Sequence, residues 1–181
     1  MSLKDLANQT LESFNPATDD PNKQEAEGLP EGEYDVVLNS IQFQVYDSGY
    51  ECIAVDAEVL TGDEAGRHEF ININLDPDFV TNAGVRLYEQ YPFMLTQNIK
   101  SISQLAFATR VELENEDWED MVSLAQAFER EEAKGQQFIL EVKKTTNKDK
   151  SKEYTNYVFA AYADGFDTAD EFDISDDDIP F

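Results

Sequence analysis

The change of hydrophobic period along the chain constrains its fold more than any other feature. Three runs alternate apolar and polar residues, a helical stretch follows, and two more alternating runs complete the body. Alternation means strands with one buried face, because successive side chains of a strand point to opposite sides. The first run, residues 34–45, sets Tyr34, Val36 and Leu38 on one face and resumes with Ile41, Phe43 and Val45 after a phase change near Asn39 and Ser40. Such a slip marks a bulge, the device by which a strand bends around a corner. Asp47-Ser48-Gly49 turns the chain into a second run, residues 50–60. There Ile53, Val55, Ala57 and Val59 point inward, and Tyr50, Cys52, Ala54, Asp56 and Glu58 outward. After Thr61-Gly62-Asp63 and Gly66, a third run over residues 67–75 turns Ile71, Ile73 and Leu75 in and His68, Phe70, Asn72 and Asn74 out.

Between residues 76 and 135 the period lengthens to that of a helix. Asp76 and Pro77 suit a helix start, Val80, Gly84, Leu87 and Tyr91 recur at helical spacing, and Pro92 is expected to stop that helix. A short helix fits residues 100–110. Another is predicted over residues 117–134, with Trp118, Met121, Val122, Ala125 and Phe128 as a core stripe and Gly135 as its end. Strand character then returns over residues 137–144 and 153–162, joined by a loop that ends the hairpin in lysines. Three strands, a helical insertion and two strands predict a mainly β (α+β) fold. It is expected to be a five-stranded OB-fold-like barrel with the helices between strands three and four. A small α+β sheet with helices on one face would give the same order. The chain therefore divides into an amino-terminal arm and linker (1–30), the barrel domain (31–163) and a disordered acidic tail (164–181).

Composition bears mainly on function. One cysteine, Cys52, excludes an intrachain disulfide, and with one histidine, His68, no usual structural zinc set can form. A Ser/His/Asp set would have to use that histidine, and no phosphate-cradling glycine loop occurs. No enzyme and no cofactor is expected. No apolar run approaches a membrane span in length, so a soluble, cytoplasmic protein is expected. The net charge of −26 repels a polyanion on average, but charge is unevenly placed. Eight acids and no base lie in residues 164–181, whereas five of the thirteen Lys and Arg residues fall between Lys143 and Lys152.

The tail ends in Asp176-Asp177-Asp178-Ile179-Pro180-Phe181. Acids followed by a proline-stiffened apolar end form a peptide ligand for a basic rim around an apolar pocket. This hexapeptide resembles the terminal motif of bacterial single-stranded-DNA-binding proteins, whose tails recruit replication and repair enzymes. Residues 29–34 (Leu-Pro-Glu-Gly-Glu-Tyr) and 58–62 (Glu-Val-Leu before Thr and a Gly turn) resemble segments of phage-encoded members. The resemblance implies a protein that binds single-stranded DNA in replication, recombination or repair, in the bacterial cytoplasm, and recruits partner proteins of phage or host. The long lead, large insertion and lack of a Gly- or Gln-rich linker depart from the bacterial pattern. A monomer or homodimer is expected accordingly.

Single-strand binding needs cations along the phosphates and aromatic faces for unpaired bases. Lys143, Lys144, Lys148, Lys150 and Lys152 on the late hairpin, with Arg67, supply the charge. Tyr46, Tyr50, Phe70 and Tyr154 supply the faces. The tail would compete for the same groove until a strand displaces it. Two other functions fit the composition: an acidic mimic of DNA, and a replication or recombination adaptor that binds proteins only.

Overall fold

The computed structural model describes residues 28–149 and 152–161, together with isolated positions before residue 28. Its centre is a five-stranded antiparallel sheet formed by β1 (Gly32–Val45), β2 (Glu51–Val59), β3 (His68–Ile73), β4 (Gln137–Thr146) and β5 (Glu153–Ala161). The strand order is β3-β2-β1-β4-β5. Within residues 28–161 the described helical segments are α1 (Leu87–Gln90), α2 (Pro92–Ala108), a 3₁₀ turn at Asn115–Trp118 and α3 (Met121–Arg130). Among the described residues, no helix is long and apolar enough to cross a membrane.

The long first strand organises the sheet. Its opening residues pair with β4 from Gly32↔Val142 to Val37↔Gln137, and it pairs with β2 from Val36↔Val59 to Val45↔Glu51. The register shifts between Leu38 and Ser40, at the expected bulge. There Leu38 exchanges backbone hydrogen bonds with the connection into β4: its N–H donates to the Gln136 carbonyl at 2.9 Å, and its own carbonyl accepts from Gly135 at 2.8 Å. The inserted residue lets Val36 and Leu38 face the core before it and Ile41 and Phe43 pack against the core after it.

The sheet is curled rather than flat. In a flat sheet its edge strands β3 and β5 would lie four strand spacings apart, about 19 Å. That exceeds the joint reach of a tyrosine and a glutamate side chain, yet the Tyr157 hydroxyl on β5 donates to Glu69 Oε1 on β3 at 2.5 Å. The other carboxylate oxygen accepts from the Leu29 N–H at 2.8 Å. Glu69 thus ties both edges and the start of the body together, which explains a buried carboxylate in a strand where alternation promises an apolar residue. No ladder joins β3 to β5 among the described residues, so the order stays that of an open sheet. Val55, Ile71, Phe138, Leu140 and Phe159 fill the concave side with Ile102 and Leu105 of α2 and Leu124 and Phe128 of α3.

The helices depart from their expected limits. Residues 76–86 form turns and a Val80↔Arg86 bridge rather than a helix. The Asp76 carboxylate accepts from the Asp78 N–H, and Gly84 takes a left-handed φ of 76°, both favouring a turn. Pro92 starts the longest of the described helices instead of stopping one, since a first-turn residue needs no N–H partner. The short helix expected at 100–110 is the end of this α2. Both α2 and α3 stop early through left-handed non-glycine residues, Arg110 and Glu132. In each case the next N–H reaches back to the third-last carbonyl, Val111 to Ala106 and Ala133 to Phe128, and buries an apolar residue over the helix end. The α3 stripe is Met121, Leu124, Ala127 and Phe128. Trp118 and Val122, expected inside, are exposed, because the chain breaks between the 3₁₀ turn and the Asp120 cap.

Candidate nucleic-acid interface

Register defines the convex face of β1, β2 and β3 row by row. Ser40, Asp56 and Phe70 stand side by side, as do Gln42, Ala54 and Asn72, with Gln44 beside Cys52. Phe70 is 68 % exposed, and the His68 ring stacks against it with centroids 6.0 Å apart. His68 Nδ1 lies 2.8 Å from the Asp56 carboxylate, and Nε2 lies 3.9 Å from Glu58.

The turn after β1 holds the next two rings. Tyr46 is exposed, packs 6.1 Å from Tyr50, and donates its hydroxyl to Asn72 Oδ1 at 3.2 Å. That bond leans the ring over β3 and fixes it. Tyr50 is half-buried because Phe79, from the turns that follow β3, meets it edge-on at 5.4 Å. Burial pushes its phenol up to about 12, with smaller contributions from Cys52, Tyr88 and Tyr46. Between this turn and residues 76–82 lies a cleft of about 520 Å³, lined by Ser48, Gly49, Tyr50, Asp76 and Phe79 among others. The same cover explains why Cys52 and Asn74, expected to face outward, are buried. The Asn74 amide donates to the Glu51 carbonyl, and its own carbonyl accepts from Tyr88 and Asn98.

The cations are placed differently. The β4–β5 hairpin runs past Gly32, so its tip lies at the opposite end of β1 from the Tyr46–Tyr50 turn. Lys143 pairs with Glu141 at 3.1 Å and Lys144 with Glu153 at 3.3 Å, while Arg67 pairs with Glu64. Lys148 and Lys152 are exposed. Tyr154 is exposed on β5, opposite Thr145. Lys150 and the segment Asp176, Asp177, Asp178, Ile179, Pro180 and Phe181 lie outside the described residues. The aromatic residues Tyr46, Tyr50 and Phe70 therefore share one surface, whereas the lysines form a second, distant group.

Sequence reasoning left out the amides of Gln42 and Gln44, which alternation also places on the convex face beside Asn72. The signal was available in the phase after the bulge, where even-numbered residues turn outward. Compared with known proteins, the sequence matches no family model and shows no significant similarity to a curated relative.

Proposed function

We propose that this chain binds single-stranded DNA across the convex face of β1–β3, in a fold of OB-barrel type, and recruits replication or recombination proteins through residues 176–181. The observation that carries the reading is the exposed ring of Phe70 on a β-strand, with Tyr46 and Tyr50 on the same surface. An aromatic residue left in water on a strand is poorly explained by stability, and unpaired bases stack on such rings. The curl that brings β3 to β5 at Glu69 supports the barrel geometry, in which this face carries the ligand.

A second reading, that of an acidic mimic or a protein-only adaptor, draws on the net charge of −26 and on the pairing of Arg67, Lys143 and Lys144 with acids. Fluorescence anisotropy with a labelled dT oligomer and a duplex control separates the two. The single strand is expected to bind and the duplex to remain free, with removal of residues 176–181 tightening binding and abolishing partner recruitment. No binding of the single strand at low salt would leave the mimic or adaptor.

A further inference from the structure

We infer that the convex face holds its strand by the bases and leaves the phosphates in solvent, so that it selects nucleobase-bearing single strands over polyanions in general. The inference rests on the single-strand reading above and specifies which part of the ligand is recognised.

Three observations lead there. First, β1, β2 and β3 contain no lysine or arginine. The convex face instead carries Asp56 and Glu58, with the His68 ring in contact with both. A phosphate lowered onto this face meets like charge.

Second, the cations nearest the face are already engaged, and beside the Tyr46–Tyr50 turn Arg86 contacts Glu89 at 2.8 Å and Asp78 at 3.9 Å. Arg67 contacts Glu64, Lys143 contacts Glu141 and Lys144 contacts Glu153. Each would have to exchange a carboxylate for a phosphate, which returns little net attraction.

Third, the face is equipped for bases. Phe70 and Tyr46 offer ring surfaces, and between them runs the row Gln42, Ala54, Asn72. The small Ala54 leaves a shallow floor, with the two amides standing two strand spacings apart, about 10 Å. Gln42 Nε2 donates one N–H to Gln44 and Asn72 Oδ1 accepts from Tyr46, which leaves the Gln42 carbonyl as acceptor, and its second N–H and the Asn72 NH₂ as donors. Standing on either side of the floor, these groups can each meet one donor or acceptor of a base, whereas a phosphate offers acceptors only.

The test is the salt dependence of binding by the full chain to a dT oligomer and to an abasic oligomer of equal length. Each phosphate neutralised on a single strand adds about 0.7 to the slope of log K against log salt. Even with Lys148, Lys150 and Lys152 each on a phosphate, the slope stays no steeper than about −2. The expected result is a slope within that limit for dT, and abasic binding weaker by about tenfold or more, the loss of a single base stack. A slope of about −3 or steeper, with the abasic oligomer bound equally well, would overturn the inference while leaving single-strand binding in place. If neither oligomer binds at the lowest salt, the single-strand reading falls and this inference with it.

Discussion

At the scale of single residues, Phe70 separates function from stability. Its neighbours in sequence, Glu69 and Ile71, are buried, and its own ring is not. Truncating it removes little area that folding takes from water, so Phe70→Ala should leave the thermal midpoint within a degree or two of the wild type. If a base stacks there, the same change removes about 1–3 kcal/mol, weakening the dT oligomer about 5- to 150-fold. Anisotropy titration and thermal denaturation on the same preparation check both halves. Unchanged affinity would remove Phe70 from the interface. Tyr50 is a poorer probe, because Phe79 packs on it and its loss would disturb the turn as well.

At the scale of elements, the clasp between β3 and β5 sets the curl. Burial, and then the bond to Glu69, hold the Tyr157 phenol well above its ordinary value. A raised value favours the neutral phenol in the folded chain. The stability it contributes is therefore complete below the unfolded value, about pH 10, and is lost as pH rises through the folded one. Tyr157→Phe should cost about 1–2 kcal/mol in urea denaturation near neutrality. The gap from wild type should narrow above about pH 10. A gap independent of pH would show that the hydroxyl does not hold the edges.

These elements were legible in the sequence to different degrees. The strands and the β1 bulge follow from period-two alternation, which depends only on local order and one buried face. The helix limits were not legible, because Pro92 serves equally to stop one helix or start the next, and because Arg110 and Glu132 take the left-handed position usually marked by glycine. In the site, the outward place of Phe70 follows from alternation. The burial of Cys52 and Tyr50 comes from residues 76–88 folding back over the first hairpin, a contact no local pattern announces. The pairing of Lys143 with Glu141 was within reach, since the two are alternate residues on one strand face.

At the scale of the whole molecule, if a chain of net charge −26 is to hold nucleic acid, its contacts must lie where that charge matters least. Stacking and amide contacts meet the requirement, because neither depends on attracting phosphate. The lysine hairpin at the far end of β1 would then steer or trail the strand without anchoring it. The most direct test of this account is an amide-resonance map of the ¹⁵N-labelled chain titrated with a dT oligomer. The account predicts the largest shifts at Gln42, Tyr46, Phe70 and Asn72, with small ones over residues 143–153. Shifts confined to the lysine hairpin, or spread over α2 and α3 with β1–β3 unmoved, would contradict it.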